Sequence, residues 1–365
     1  MKITSLNVNN FKNSEKERIE FKDGINIIFG DNAAGKTNLL EAIFLFAAGK
    51  SFRGSKDKNF VRFGQDYAFT EIVFENKSGN CKLGIKLFKN AKKQIFREGV
   101  QISKLSEYLG LFRAVIFTPD HLNLVKGSPE FRRRFIDLAI CQSFPRYVAT
   151  ASEYNRILAQ KNALLKNRID SEDLLEVYNE RLSFLAAHIT SNRLKFLKQL
   201  QPEAKAFQHD MTNGAEELSL DYISQAGEGF ESTDDIKNRY LDIYKSKKEQ
   251  EKYKGVTLFG PHKDDFTIFI NKKNARLFAS QGQQRSAVLS LKLAEGELSN
   301  KLTGEYPVFL LDDILSELDS KRKKYILDTT YGKQVIITGC DKEFFSGLES
   351  RNKIYVENGR ACFYT

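Results

Sequence analysis

The chain is poor in cysteine and has no long apolar segment. Its 365 residues include only 4 cysteines, Cys81, Cys141, Cys340 and Cys362, and their spacing is not that of a metal site. No apolar run approaches the roughly 18 to 20 residues that cross a bilayer, and the sequence starts with no apolar signal segment. These absences predict a reduced, cytoplasmic environment and no membrane-embedded role.

The chain also has fewer acidic than basic residues. Lys and Arg outnumber Asp and Glu by 57 to 47, which gives a formal net charge of +10 and a pI near 9.2. The basic excess lies mainly in the first third of the chain, and it favours polyanionic partners such as nucleic acid. With 41% hydrophobic residues, the chain can bury a sizeable core, as one large domain with an insertion or as two domains.

The first third has the pattern of an α/β domain. Residues 2–9 (KITSLNVN) and 24–29 (GINIIF) predict strands, and the second strand leads directly into GDNAAGKT. The following NLLEAIFLFAAG predicts a buried helix that ends at Gly49. Residues 68–97 again alternate as strands, with a hairpin turn near Lys89 to Lys93.

The periodicity changes after about residue 120. Apolar residues at spacings of three and four predict two antiparallel helices on either side of the polar NRIDSE, and a weaker polar helix follows near 232–253. After residue 255 strands return, followed by a long amphipathic helix over 281–302 and the apolar strand YPVFLLDD. We therefore predict an N-terminal head part over 1–120, a helical insertion over 121–254 and a C-terminal head part over 255–365.

GDNAAGKT matches the phosphate-loop pattern through Gly30, Gly35, Lys36 and Thr37. Loop N–H groups and the helix N-terminus predict a site for the phosphates of ATP, with Lys36 at the β and γ groups and the Thr37 hydroxyl on Mg²⁺. The predicted nucleotide contacts are Gly30, Asp31, Asn32, Ala33, Ala34, Gly35, Lys36, Thr37 and Asn38. The alternative is a glycine-rich turn between a strand and a helix.

YPVFLLDD ends an apolar strand in two carboxylates, where the acid that partners a phosphate loop is expected. We predict that Asp312 holds Mg²⁺ through water and that Asp313 orients or deprotonates the attacking water. Lys36, Asp312 and Asp313 are the predicted catalytic residues. Alone, the two aspartates could simply end a strand, but together with Lys36 and Thr37 they indicate a nucleotide site.

SQGQQRS offers a second anion site at a helix start. Ser280 is a predicted N-cap, Gly282 allows close backbone approach, and Gln283 adds a neutral donor, whereas the SQGQ stretch contains no lysine. The stretch therefore complements a phosphate loop and does not duplicate one. The alternative is a simple cap on a structural helix.

This arrangement resembles the ABC-type ATPases, in which a signature stretch begins a helix shortly before the Walker B strand. In that superfamily the signature binds the γ-phosphate of ATP held by the other subunit. The resemblance implies an ATP-dependent homodimer, with Ser280, Gly282 and Gln283 at the partner's nucleotide. Leu315 to Asp319 matches the D-loop, which lies along the same interface.

Several further motifs resemble the RecF family, of the SMC-like branch of these ATPases. They are NNFKN, GKTNLLEAI, KSFRG, VKGSPEFRRRFIDL, NRILAQKNALLK, GPHKDD, SQGQQRS and LLDDILSELD. The resemblance spans the chain and implies an α/β ABC-type P-loop ATPase head with an inserted, short coiled-coil-like α-helical domain. It also implies ATP and DNA binding, slow hydrolysis, and action with RecO and RecR to bring RecA to gapped or single-stranded DNA in the nucleoid.

The sequence departs from the wider pattern at three places. Asp120 and His121 stand where the family more often has an acidic pair, so His121 has either a Q-loop role or a structural one. Thr338 stands where many ABC ATPases have a switch histidine, as is usual for this family. Asp313 is one methylene shorter than the glutamate of most ABC enzymes. The last two departures predict slow hydrolysis.

Basic residues of the first third are candidates for DNA contact. The predicted hairpin carries Lys86, Lys89, Lys92, Lys93 and Arg97, which either contact DNA phosphates or form a solvated face. In addition, Arg53 of KSFRG matches an arginine that faces nucleotide or DNA in SMC-like heads. The alternative for Arg53 is a surface salt bridge.

Other charged stretches have structural explanations. Arg133 and Asp137 are four residues apart on a predicted helix, which allows an ion pair. His262 with Asp264 and Asp265 could suggest a metal site, but one histidine beside two adjacent acids gives poor geometry, so a turn held by side-chain bonds is favoured. The rival functions are another SMC-like ATPase, chromosome-structural or nuclease-associated, a transporter ATPase and a small-molecule P-loop kinase.

Overall fold

The computed structural model describes residues 1–169, 171–340 and 352–363. The chain forms two compact units. The first unit contains Met1–His121 and Leu289–Thr365, and the second contains Leu122–Val288. The N- and C-terminal segments thus build one unit together.

The strands are, in chain order, β1 Lys2–Phe11, β2 Ser14–Glu20, β3 Ile25–Phe29, β4 Tyr67–Asn76, β5 Gly79–Phe88, β6 Gln94–Arg97, β7 Val100–Ile102, β8 Ala114–Phe117, β9 Leu218–Ile223, β10 Asp265–Ile270, β11 Lys273–Asn274, β12 Val308–Asp312, β13 Val335–Gly339, β14 Asn352–Glu357 and β15 Arg360–Phe363. The helices are α1 Lys36–Ala48, α2 Asn123–Lys126, α3 Pro129–Ser143, α4 Pro145–Lys166, α5 Glu172–Met211, α6 Thr233–Ser246, α7 Lys248–Lys254, α8 Ala275–Phe278, α9 Gln281–Thr303 and α10 Ser320–Thr329.

A mostly parallel sheet of order β15-β14-β3-β13-β12-β8 forms the base of the nucleotide site in the first unit. Strands β3, β8, β12 and β13 are short apolar runs that are buried almost throughout, as expected for parallel strands covered on both faces. Because parallel strands end at the same edge, the carboxyl ends of β3, β12 and β13 meet there. The end of β3 leads into the phosphate loop, and β12 ends in Asp312, directly before Asp313.

A second, antiparallel sheet of order β2-β1-β4-β5-β6-β7 completes the first unit. Strand β4 alternates buried and less buried residues, and Leu83, Ile85 and Leu87 of β5 are buried, as the sequence pattern predicts. Helix α1 contacts β4 of this sheet and also β12 and β13 of the parallel sheet. Its residues from Leu39 to Ala48 are all buried, which explains why the sequence of α1 is apolar all round.

The second unit combines helices with a three-stranded sheet of order β11-β10-β9. Helices α4 and α5 pack together, and Leu164, Leu165 and Leu175 form a buried cluster at the connection between them. Strand β10 pairs antiparallel with β9. Residues 255–288 belong to the second unit, which ends at Val288, whereas the sequence pattern suggests a boundary at 255.

The helices of the second unit follow the sequence pattern closely. The predicted polar helix near 232–253 is two helices, α6 and α7, that meet at Lys247. The long helix predicted over 281–302 is α9, whose residues up to Val288 belong to the second unit and whose residues from Leu289 belong to the first. In the part of the chain that the structure describes, no helix combines the length and the apolar character needed to cross a bilayer.

Candidate nucleotide site

The phosphate loop joins β3 to α1 with a backbone that demands glycine at both ends. Gly30 has φ 154° and Gly35 has φ 116°, values that other residues rarely adopt. A Cβ on Gly30 would lie 2.1 Å from the carbonyl oxygen of Val356 in β14. Helix α1 follows with no acidic residue in its first turn, so its N-terminus is open to an anion.

Lys36 is buried and its ammonium group lies within the loop. Its Nζ donates to the carbonyl oxygens of Gly30 and Asp31, both at 2.8 Å, and lies 3.2 Å from Sγ of Cys340. When a nucleotide binds, its phosphate oxygens can replace these carbonyl oxygens as the acceptors of the Lys36 ammonium group.

Thr37 and Asp312 meet directly across the sheet edge. The Thr37 hydroxyl donates to Oδ1 of Asp312 at 2.8 Å, and the Thr338 hydroxyl donates to the same oxygen at 2.9 Å. Burial raises the pKa of Asp312 above its usual value, against the opposing effects of these two hydrogen bonds and of the charge on Arg53. A hydroxyl and a carboxylate in contact are hard oxygen ligands of the kind that Mg²⁺ prefers.

Asp313 differs from Asp312 in its environment. It is exposed and has φ 50°, in the left-handed region that aspartate tolerates better than most residues. Its N–H donates to the Thr338 hydroxyl at 3.1 Å. The two adjacent aspartates are therefore distinct: one is buried against Thr37, and the other is open to solvent.

Asn13 braces the phosphate loop, and the sequence analysis did not single it out. Its Nδ2 donates to the carbonyl oxygen of Ala34 at 3.1 Å, and its Oδ1 accepts from Asn38 at 2.7 Å. The N–H of Gly359 also donates to the Ala34 carbonyl, at 2.9 Å. Asn13 belongs to the NNFKN motif, so that motif could have indicated its role at the phosphate loop. No motif indicated the contact made by Gly359 in the C-terminal hairpin.

A buried carboxylate on α1 ties Arg53 to the phosphate-loop helix. Glu41 is fully buried and bonds to the Lys12 ammonium and to the Ser51 hydroxyl, while Ser51 Oγ accepts the N–H of Arg53 at 3.0 Å. Arg53 is an exposed residue, and its charge lowers the pKa of Asp312. The NNFKN and KSFRG motifs thus converge on Glu41.

The predicted catalytic and magnesium-binding residues Lys36, Thr37, Asp312 and Asp313 all lie at this sheet edge. Asp31, Asn32 and Ala33 are the exposed part of the loop, whereas Ala34 is buried. Asn32 Oδ1 accepts from Sγ of Cys340 at 2.9 Å. Cys340 is a further residue at this site that the sequence pattern did not predict there.

In the second unit, Ser280 and Gln283 form a reciprocal cap at the start of α9. Ser280 Oγ accepts the N–H of Gln283 at 3.3 Å, and Gln283 Oε1 accepts the N–H of Ser280 at 2.9 Å, which is a capping box. The first turn of α9 has no acidic residue. The end of a 23-residue helix is thus fixed, exposed at Ser280, and suited to an anion.

The basic hairpin residues have different environments. Lys93 pairs with Asp57 at 3.1 Å, and the ammonium of Lys86 lies 4.2 Å from the centre of the Tyr67 ring. Lys92 and Arg97 are exposed and Lys89 is half-buried. Arg97 lies beside Leu83, at the opposite end of β6 from the turn. The turn therefore offers mainly Lys89 and Lys92 to a polyanion.

The remaining histidine candidates have structural contacts. His121 Nδ1 accepts the N–H of Thr118 at 3.0 Å, which stabilises the turn after β8. His262 Nδ1 lies 2.7 Å from the Tyr154 hydroxyl. Within the described residues, no group of three or more His, Cys, Asp or Glu side chains could hold a metal ion.

The acids and arginines near His262 form a buried network in the second unit. Asp264 accepts from the Tyr222 hydroxyl at 2.6 Å and from the N–H of Gln225 at 2.7 Å. Arg132 pairs with Asp265 through two bonds at 2.7 and 2.8 Å, and Arg133 donates to the Asp264 carbonyl. These contacts favour the structural explanation of GPHKDD.

Comparison with known proteins relates this architecture to one family. The family model of the RecF/RecN/SMC N-terminal domain matches residues 2–361. The chain is 37% identical to a DNA replication and repair protein RecF of Clostridium acetobutylicum, over 100% of both chains. It is 39% identical to another RecF, from Bacillus cereus, with 98% of each chain covered.

Solved structures give the same result. A structure of the recombination mediator protein RecF with ATP, in the RecFOR pathway, has a TM-score of 0.94 at 34% identity and covers 100% of this chain and 98% of that one. An Smc head bound to the C-terminal winged-helix domain of ScpA has a TM-score of 0.59 at 16% identity, with 100% and 97% covered, which is a likeness of fold alone. The predicted fold class, an α/β ABC-type ATPase head with an inserted helical region, is confirmed.

Proposed function

The chain belongs to the RecF/RecN/SMC N-terminal domain family and, within it, to the RecF proteins, and on this premise we propose that it is an ATP-gated, DNA-binding protein of recombinational repair and replication restart. Its phosphate loop, residues 30–38, binds ATP. The observation that carries the proposal is the contact between Thr37 and Asp312 at the edge of the parallel sheet. It unites the phosphate loop with the acid at the end of β12.

The residues at this edge fit a magnesium nucleotide. Thr37 and Asp312 are the residues that would hold Mg²⁺, since their oxygens already lie 2.8 Å apart and both are hard ligands. When bound, the ion would neutralise charge on the phosphate oxygens. Lys36, which now bonds loop carbonyls, turns its ammonium to the β- and γ-phosphates.

Asp313 is the residue that we propose for orienting or deprotonating the attacking water. It is the exposed member of the acid pair, and its backbone is pinned to Thr338. Arg53 places positive charge near Asp312. A short aspartate in place of a glutamate leaves the carboxylate further from its target, which supports slow hydrolysis.

The second anion site gives the reason for ATP-dependent dimerisation. Ser280, Gly282 and Gln283 begin α9 without a lysine or an acid in the capped turn, so they suit a phosphate whose other contacts come from elsewhere. We propose that this phosphate is the γ-phosphate held by a partner chain. Two copies then close two composite sites.

DNA is the proposed polyanionic partner. The net charge of +10 and the cations of the β5–β6 turn, the half-buried Lys89 and the exposed Lys92, support it. The RecF relatives support a place with RecR- and RecO-type mediators and, indirectly, RecA at gapped or single-stranded DNA in the nucleoid.

The proposed function is tested by ATP turnover with and without gapped DNA. Wild type is expected to hydrolyse ATP slowly and faster with DNA, whereas Lys36→Ala abolishes turnover because the phosphates lose their cation. Lys22→Ala removes an exposed lysine of the same unit and serves as the control. Equal turnover by wild type and Lys36→Ala would exclude this site as the ATPase site.

A further inference from the structure

Thr338 occupies a central position between the two aspartates. It lies in β13, directly beside Asp312 in the parallel pair of β13 and β12, and is 1% exposed. Val335, Ile336 and Ile337 precede it in the same strand and are fully buried. A hydroxyl at the end of such an apolar run requires hydrogen-bond partners.

The two shorter hydrogen bonds of the hydroxyl join it to the two successive aspartates. Thr338 Oγ1 donates to Oδ1 of Asp312 at 2.9 Å, with the Leu311 carbonyl oxygen a longer acceptor at 3.5 Å, and it accepts the backbone N–H of Asp313 at 3.1 Å. One buried oxygen therefore contacts the side chain of the first aspartate and the main chain of the second. The distance between the two carboxylates depends on this link.

The conformation of Asp313 needs such support. Its φ of 50° is uncommon for a residue other than glycine. Its N–H donates to two oxygens of Thr338, the hydroxyl at 3.1 Å and the main-chain carbonyl at 3.3 Å, and the Ser316 hydroxyl donates to its carbonyl oxygen at 2.7 Å. With both backbone groups fixed, the direction in which the exposed carboxylate leaves the chain is fixed as well.

The orientation of Asp312 depends on the same hydroxyl. Thr37 and Thr338 both donate to Oδ1, from α1 on one side and β13 on the other. Two donors on one oxygen hold the plane of a carboxylate better than one donor. Loss of either donor frees the group to rotate.

We propose that Thr338 is a positioning residue for ATP hydrolysis, which acts through Asp312 and Asp313 by setting the relative placement of their carboxylates. The inference rests on the proposed role of Asp313 in orienting the attacking water. Thr338 does not touch the nucleotide in this account. A purely structural role would require only a β-branched side chain of this volume, which valine supplies.

The experiment compares Thr338→Val and Thr338→Ser with wild type in ATP turnover and in nucleotide binding, measured by fluorescence of a labelled ATP. Valine keeps the shape and removes the hydroxyl, whereas serine keeps the hydroxyl. We expect kcat to fall roughly 10- to 100-fold in Thr338→Val, as for other residues that orient catalytic groups. Nucleotide affinity and KM should stay within about threefold, and Thr338→Ser should restore most of kcat.

A double-mutant cycle with Asp313→Asn gives a second readout. If Thr338 acts through Asp313, then Thr338→Val should lower kcat much less in the Asp313→Asn background than in wild type. Equal kcat for wild type and Thr338→Val, or full additivity in the cycle, would overturn the inference. Unchanged turnover in Asp313→Asn alone would instead refute the proposed role of Asp313.

A third pair covers the case in which Thr338→Val does not fold. Thr338→Ser and Thr338→Ala differ only in the hydroxyl. The account predicts that the alanine variant turns over ATP at least about tenfold more slowly than the serine variant, at similar nucleotide affinity. Equal kcat in this pair would also overturn the inference.

Discussion

The Thr37 hydroxyl donates a hydrogen bond of 2.8 Å to Asp312, a residue 275 positions further along the chain. The bond closes the phosphate loop against the end of β12 within the first unit. Because β3, β13 and β12 are adjacent and parallel, their carboxyl ends bring the loop, Thr338 and the two aspartates to one place. The nucleotide site is thus a consequence of strand order.

Removal of the Ser51 hydroxyl should destabilise the first unit. Ser51→Ala deletes one of the two partners described for the buried Glu41 carboxylate, which keeps its bond to Lys12. Leaving a buried charged group short of a bond costs on the order of 1–3 kcal/mol. Urea unfolding measures the loss.

Ser78→Ala is the matched control for this change, since Ser78 is exposed and its backbone N–H, which bonds Asn76, is retained. It should change the free energy of unfolding by less than about 0.5 kcal/mol. An equal, small effect of both substitutions would contradict the assigned role of Ser51.

Charge reversal at the β5–β6 turn should weaken DNA binding. The double variant Lys89→Glu with Lys92→Glu removes two cations and should lower both the affinity for gapped DNA and the salt slope of binding, by about one per phosphate contact. Lys93 is retained because it pairs with Asp57. Fluorescence anisotropy over a range of salt concentrations measures both quantities.

The control for charge alone is Lys195→Glu with Lys198→Glu, which makes the same change at two exposed residues of α5 in the second unit. If DNA contact is at the turn, the control keeps the wild-type salt slope. Identical slopes for wild type and the Lys89, Lys92 variant would exclude the turn as a DNA contact.

His262 should make the protein less stable as the pH falls below 7. Burial lowers the pKa of His262 to about 4, whereas the unfolded chain has the ordinary value near 6.5. Between these values the unfolded state binds a proton that the folded state does not, so the folded state loses stability as the pH falls. The loss from pH 7 to pH 5 amounts to about 2 kcal/mol.

His262→Gln should remove most of this pH dependence in urea unfolding, while His209→Gln, at an exposed histidine, should retain it. The comparison is of slopes between pH 7 and pH 5 and not of absolute stability, since His262→Gln also loses the contact with Tyr154. The same slope in all three proteins would show that His262 titrates normally.

Local patterns predicted the parts of the site that lie within single segments. The glycines of the phosphate loop, the helix after it, the cap at Ser280 and the apolar strand before Asp312 all follow from residue types at short spacing. The two-sheet arrangement of the first unit was not predicted, because strand order is set by contacts between distant segments. The sequence periodicity also assigned residues 255–288 to the head. Periodicity reports local structure only, so it could not reveal that β10 pairs with β9.

Long-range contacts explain what the sequence analysis missed at the site itself. The Thr338 link to both aspartates, the brace from Asn13 and the hairpin against Gly30 join residues that are far apart in the chain. The lysines of the basic hairpin look equivalent in the sequence, but their contacts in the structure differ. Lys93 forms an ion pair with Asp57, and Lys86 lies over the ring of Tyr67.

Sedimentation velocity tests the shared-site account most directly. Wild type, Ser280→Arg, Ser280→Asp and Ser280→Thr are compared with ADP, then with ATP and Mg²⁺, with and without gapped DNA. Aspartate keeps the N-cap of α9, but its negative charge repels a phosphate. Threonine keeps the N-cap and, being neutral, also allows a phosphate to bind.

We predict that wild type and Ser280→Thr dimerise with ATP and not with ADP, and that the arginine and aspartate variants stay monomeric under every condition. ATP-dependent dimers of Ser280→Asp as strong as those of wild type, or a wild type that stays monomeric throughout, would contradict the claim that the start of α9 binds the nucleotide of a partner chain.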